Sequence, residues 1–240
     1  MKRNFFTFEQ LGDGFTALED DLRRGAPTAV FGVSDSLKYL IAGLVNAPVV
    51  YIVPDGVSAQ KTAENLRAIS GKKVEVLSSK DEVLLYRKAL SKDALFQRLN
   101  GIYALQTGAD IIVAEIDALL QLFPKKLPVI SLKEGEDYDF ISLPNRLTQM
   151  GYTRSFEVEV KGAFALRGDI LDIYPVNAEN PVRIDFFGDT VEKIKPYDFK
   201  TGERLSPIKE ITLLSATDII VSERDKETVK ESLQTELSSF

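Results

Sequence analysis

The sequence predicts an α/β chain in two parts, a parallel-sheet domain followed by an α+β, largely antiparallel second domain. Three observations carry this. Over residues 26–123, short apolar runs of the buried-strand type alternate with segments of helical periodicity, the pattern of a parallel sheet with crossover helices. Over residues 151–198 the period changes to two, as in half-buried antiparallel strands. Between them Pro124 and Pro128 bracket a short stretch that reads as a linker.

Taken in order, residues 15–24 place Phe15, Leu18 and Leu22 at helical spacing and stop at Gly25. Residues 28–33 read as a first buried strand and 34–46 as a helix. A second strand at 49–53 ends at Pro54, and a helix follows over 58–69. A strand at 73–77, a helix at 93–105, a strand at 110–114 and a short helix at 116–123 complete the first part. Beyond the linker, 129–133 is a strand and 143–150 a helix with Ser142 as its cap and Pro144 in its first turn. In the alternating region Phe156, Val158 and Val160 share one strand face. Val182, Ile184 and Phe186 form an inward set, which sends Arg183, Asp185 and Phe187 outward together. Turn signals stand at Lys161-Gly162, at 177–181 and at Gly188-Asp189. Residues 210–221 read as a strand returning to the first domain. Residues 225–237 read as a polar helix whose thin stripe of Val229, Leu233 and Leu237 implies further sequence to pack on. The resulting division is 1–127, 128–209 and 210–240, the last an incomplete return to the first domain.

The composition narrows the chemistry. The chain has 240 residues, 44% hydrophobic and 28% charged, enough to bury a sizeable core. It contains no Cys and no His, which removes disulfides, thiolate chemistry and the commonest metal ligand and general base. No metal or other cofactor is expected. No run approaches the length of a membrane span, and the N-terminus lacks the apolar core of a signal peptide, so the expected location is cytoplasmic. The net charge of −6 argues against a general nucleic-acid binder, whose affinity rests on clustered cations, and favours protein recognition.

Following the first apolar run, Gly32 and Lys38 keep the spacing of a phosphate loop, in which glycines admit the phosphates, Lys pairs with them and Ser or Thr reaches Mg²⁺. Here Leu37 takes the second glycine's place and Tyr39 the hydroxyl's. Leucine crowds the backbone where phosphate must approach, and tyrosine is too long to set its oxygen on the metal. A chance match at an ordinary helix start is the competing reading. Either way, ATP binding is not expected. No replacement chemistry stands out. Asp169 and Asp172 flank two aliphatic residues and read as acids on a solvated face, and Glu115 with Asp117 as the acidic start of a helix. No catalytic residue is assigned.

Several motifs then coincide with a known family. Gly151-Tyr152-x-Arg154, the run RGDILDIYP from Arg167, the run PVRIDFF from Pro181 and Tyr197-Asp198 resemble the N-terminal UvrB-homology module of the bacterial transcription-repair coupling factors, the Mfd family. The resemblance covers nearly the whole chain. UvrB itself shares the architecture but carries an intact phosphate loop and a tyrosine-rich hairpin; Leu37, Tyr39 and the short region 79–93, with Tyr86 its one tyrosine, depart from both. The resemblance implies a helicase-like first domain with a degenerate P-loop and no ATPase activity, then an inserted second domain that binds UvrA, then the start of a further element. It implies a non-catalytic adaptor of transcription-coupled nucleotide excision repair, in a family whose full-length members are ATP-dependent DNA translocases that displace stalled RNA polymerase. Contacts with RNA polymerase and DNA would lie outside this chain. The alternative is a nucleotide-dependent, helicase-like DNA enzyme of UvrB type.

The UvrA-contacting positions that the resemblance implies fall on Arg167, Arg183 and Phe187. Alternation independently sends all three outward. Each has a plainer reading: for Arg183 a cross-strand pair with a neighbouring acid, for Phe187 a place under the turn at Gly188, for Arg167 an ion pair with Asp169 or Asp185. Arg154 lies at a strand start that fixes no direction.

Overall fold

A computed structural model describes residues 7–80 and 92–219, together with Lys230 and Leu233. It divides into two compact units, Met1–Phe123 and Pro124–Phe240. Among the described residues no helix is long and apolar enough to cross a membrane.

In the first unit a 3-10 turn, Glu9–Leu11, precedes α1 (Asp13–Arg23), then α2 (Asp35–Leu44), β1 (Val49–Val53), α3 (Gly56–Ser70), β2 (Val74–Leu77), α4 (Lys92–Thr107), β3 (Ile111–Glu115) and α5 (Ile116–Leu120). The three strands form a parallel sheet in the order β1-β3-β2. Helix α3 starts where Asp55 accepts a hydrogen bond from the Ser58 amide at 2.8 Å, and stops at Gly71, whose φ of 60° a side chain would disfavour. Its Ala59, Ala63 and Leu66 pack with Val53, Val74, Val76, Ile111 and Val113 of the sheet. Helix α4 buries Phe96, Leu99 and Ile102 and crosses β2 at Gly101. A Cβ there would stand 2.4 Å from the Val76 carbonyl oxygen, so only glycine permits the crossing.

The expected strand at 28–33 does not form. The segment is irregular and pairs with nothing among the described residues, and Phe31 is 89% exposed. An apolar run becomes a strand only beside a ladder that takes its amides and carbonyls. Among the described residues β1 is paired on one edge alone, with β3.

The second unit contains β4 (Val129–Lys133), α6 (Leu143–Gln149), β5 (Thr153–Arg154), β6 (Ala163–Arg167), β7 (Ile170–Ile173), β8 (Val182–Phe187), β9 (Thr190–Pro196) and β10 (Glu210–Leu214). A five-stranded sheet runs β5-β6-β7-β8-β9, antiparallel except for the short β5–β6 pair. Leu171, Ile184 and Ile194 stack across it on the buried face, beside Phe164, Ile173 and Val182. Gly188, with φ 61°, opens the β8–β9 turn. β10 does not return to the first unit as expected. It pairs antiparallel with β4, and the Asn177 side chain joins that ladder by donating to the Thr212 carbonyl at 2.8 Å and accepting from the Leu214 amide at 3.3 Å. Tyr152 is buried and donates its hydroxyl to the Leu214 carbonyl at 2.7 Å; burial pushes its pKa well up.

Three further expectations need correction. Residues 155–160 form no strand, because Ser155 turns on itself, its hydroxyl donating to the Glu157 carbonyl at 2.6 Å, and Phe156 and Val160 face outward. Ser142 precedes α6 but caps nothing with its side chain; its hydroxyl donates to the Asp139 carbonyl at 3.2 Å. Asp172 is not on a solvated face, being only 6% exposed. The proposed helix at 225–237 lies outside the described residues except at Lys230 and Leu233. In the 79–93 region, residues 81–91 lie outside them too.

Candidate docking site

The register of the five-stranded sheet decides which side chains share its outer face. Arg167 stands opposite Ile170, which stands opposite Asp185, which stands opposite Lys193. The next rank is Ala165, Asp172, Arg183 and Lys195. Directly paired residues lie on one face, so Arg167 and Arg183 are on the same side of the sheet. The β8–β9 register shifts between Asp185 and Phe186, yet burial along β8 still alternates through it, with Phe186 buried and Phe187 75% exposed on the outer side rather than tucked under the turn.

Each arginine is held differently. Arg183 donates from Nε and Nη2 to the two carboxylate oxygens of Asp172, at 2.7 and 2.8 Å. Its side chain stays 42% exposed, so the planar guanidinium is fixed at its base and open at its outer edge. The hydrogen bond it donates to Asp172 raises the Arg183 pKa and keeps the group charged. Arg167 donates from Nη2 to the Phe156 carbonyl at 2.9 Å, and its guanidinium carbon lies 5.2 Å from the Phe156 ring centre. It is not held by Asp169 or Asp185. Asp185 instead pairs with Lys195.

A hollow of about 350 Å³ opens on this face, and Arg167, Asp172, Arg183, Lys195, Tyr197 and Arg204 are among the residues lining it. Burial, and then the nearby Asp172 carboxylate, hold the Tyr197 phenol above its ordinary pKa. Arg204 reaches the hollow from an antiparallel bridge with Tyr197, past the turn at Asp198, whose carboxylate accepts hydrogen bonds from the Lys200 and Thr201 amides at 2.8 and 2.7 Å. Phe187 is not among the lining residues, so the face presents an aromatic outside a polar hollow. Phe156 and Arg204 are the residues sequence reasoning missed. Phe156 shows in the sequence only as sharing a strand face with Val158 and Val160, and Arg204 pairs with Tyr197 in an isolated bridge that carries no periodic signal.

The segment with phosphate-loop spacing has a different geometry. Gly32 keeps a positive φ of 74°, and α2 begins three residues later. The amides of Leu37 and Lys38 both donate to the Ser34 carbonyl at 3.1 Å, as in any first helical turn. Lys38 is 3.1 Å from Asp35, with both groups largely in solvent. Tyr39 packs against Tyr51 with ring centres 6.3 Å apart, at the edge of the first unit's core. The buried Glu115 carboxylate, at the end of β3, accepts from the Ser79 amide at 2.7 Å. No group of acidic residues suited to a metal ion occurs among the described residues.

Residues 130–218 match the UvrB interaction domain, the part of the chain that carries the outer face and its hollow. A transcription-repair-coupling factor of Myxococcus xanthus is 30% identical over 234 residues, covering 90% of this chain and 19% of the relative. That of Bacillus subtilis is 28% identical over 247 residues, covering 98% and 21%. The UvrABC system protein B of Pseudothermotoga lettingae is 29% identical over 146 residues, covering 58% of this chain and 22% of its own length. The chain thus spans about a fifth of the length of the curated relatives it matches.

Proposed function

The chain carries a UvrB interaction domain over residues 130–218 and is a homologue of transcription-repair-coupling factors across 90–98% of its length, and from that premise we propose that it is an adaptor that recruits UvrA through its second domain. The observation that carries this reading is the common outer face of Arg167, Arg183 and Phe187 within the matched region. Arginine and aromatic residues dominate the energetics of protein interfaces, and a fixed guanidinium loses little freedom on binding.

The first domain is a degenerate helicase-like scaffold in this proposal and catalyses nothing. Support comes from the fate of its loop: Leu37 where glycine is needed, Lys38 turned to Asp35, and Tyr39 packed on Tyr51. The domain limits we assign are 1–127 for the first domain and 128 onward for the second, because the β4–β10 ladder carries residues 210–214 with it. Translocation on DNA and displacement of RNA polymerase, which the resemblance implies for full-length coupling factors, belong to sequence outside this chain. The site of action is the cytoplasm.

Capture of purified UvrA by the immobilised chain tests the reading. Binding by the wild type that is lost in an Arg167→Ala, Arg183→Ala, Phe187→Ala triple variant supports it. Equal capture by both rejects it.

A further inference from the structure

The two arginines of the outer face are anchored in different ways. Arg183 is fixed by the Asp172 carboxylate, directly opposite it on the neighbouring strand. Arg167 ends β6, and its guanidinium rests on Phe156 instead, donating to the Phe156 carbonyl at 2.9 Å with its carbon 5.2 Å from the ring centre. Charge does not single out Arg167, because Glu157 and Glu159 line the same hollow. What distinguishes it is how it is held. Phe156 is 84% exposed, so its ring adds little to the fold by burial. The backbone around it is nonetheless fixed. The Ser155 amide donates to the Phe164 carbonyl at 2.8 Å, and the Ser155 hydroxyl to the Glu157 carbonyl at 2.6 Å. At the other end of the loop the Ala163 amide donates to the Val160 carbonyl at 3.2 Å, and the Gly162 amide to the Tyr174 carbonyl at 2.8 Å. A solvent-facing phenyl ring is thus carried on a tethered loop to the arginine that ends β6.

We propose that Phe156 is a positioning residue for partner capture: its ring and its carbonyl hold the Arg167 guanidinium in the orientation in which the docking protein meets it. The inference rests on the docking function proposed above and adds a residue to it. A long arginine side chain loses rotamer freedom when a partner immobilises it, and one already laid on a ring loses less. Stacking does not cancel the charge, and the guanidinium donors that the Phe156 carbonyl does not take stay available. Asp172 orients Arg183 through an ion pair, whereas Phe156 orients Arg167 without one. Phe156 acts through Arg167, which separates it from Phe187, whose exposed ring is itself the contact in the proposed function.

The test is a double-mutant cycle in UvrA affinity, using Phe156→Ala, Arg167→Ala and the two combined. Phe156→Tyr, Phe156→Leu and Arg183→Ala are measured beside them, with thermal midpoints to confirm folding. Phe156→Ala should weaken binding about threefold to tenfold. Phe156→Tyr keeps the ring and should retain most of the affinity, while Phe156→Leu should behave like Phe156→Ala despite its apolar bulk. In the Arg167→Ala background Phe156→Ala should cost nothing further, because the group it positions is gone. Wild-type affinity in Phe156→Ala or Phe156→Leu, with Arg183→Ala still defective, would overturn the positioning role and leave the docking function standing. A Phe156→Ala loss of the same size with and without Arg167 would also overturn it, by making the ring a contact in its own right. No binding by the wild type would remove both.

Discussion

Arg183 and Asp172 face each other across the β7–β8 ladder and share two hydrogen bonds of 2.7 and 2.8 Å, one partner buried and the other half in solvent. This is the plain cross-strand pair that alternation allowed for Arg183, and it does not compete with a docking role. It fixes the guanidinium in one plane while leaving donors at its outer edge.

Removing the buried partner should therefore do two things. Asp172→Ala leaves Arg183 without its carboxylate and opens space beneath the face, costing about 1–3 kcal/mol in urea denaturation. UvrA capture should fall as well, although Asp172 itself is nearly inaccessible.

Phe187→Ala should separate stability from binding. The ring is exposed, so the unfolding midpoint should stay within about 0.5 kcal/mol of wild type. Binding should drop by about 2 kcal/mol or more, as at an aromatic interface hot spot.

Gly101→Ala probes the first unit alone. Its added Cβ meets backbone of β2 on a close path, so α4 must shift, and a loss of about 2 kcal/mol or more is expected by thermal or urea unfolding. UvrA affinity of the folded fraction should not change.

Nucleotide should leave the chain indifferent. A native-state ligand at 100 times its Kd adds about 2.7 kcal/mol. Thermal melts with ATP and Mg²⁺ should superimpose on those without, and Lys38→Ala should melt with the wild type.

Acid should loosen the turn that Asp198 holds after β9. Hydrogen bonds from the Thr201 amide, then the Thr201 hydroxyl and the Lys200 amide, hold the Asp198 carboxyl below its ordinary pKa. A depressed folded-state value means the stabilisation is complete above the ordinary carboxylate value of about 3.9 and is lost as pH falls through the lower folded value. Asp198→Asn should remove that part of the pH dependence, read as a shallower decline of the thermal midpoint between about pH 5 and 2.

Much of this was legible in the sequence because burial imposes period. The alternation over β8 gave the outward set of Arg183, Asp185 and Phe187, and the strands of the first unit fell where short apolar runs met helical spacing. What failed did so where a segment's fate depends on its neighbours. Residues 28–33 have strand composition, but a strand also needs a partner ladder. Residues 155–160 alternate, yet Ser155 closes a local turn and Phe156 becomes a stand for Arg167. Asp172 looked solvated because single-sequence alternation cannot see an arginine arriving from the next strand. Arg204 carries no signal, since a single bridge residue outside any named strand extends no periodic run.

On the proposed function, the outer face of the second domain, and not the first domain, carries the docking. The most direct measurement is the equilibrium affinity of purified UvrA for the wild-type chain and for Arg183→Ala with Phe187→Ala, each verified as folded. Saturable binding by the wild type and a loss of about a hundredfold or more in the double variant are expected. Unchanged affinity in the folded double variant would contradict it.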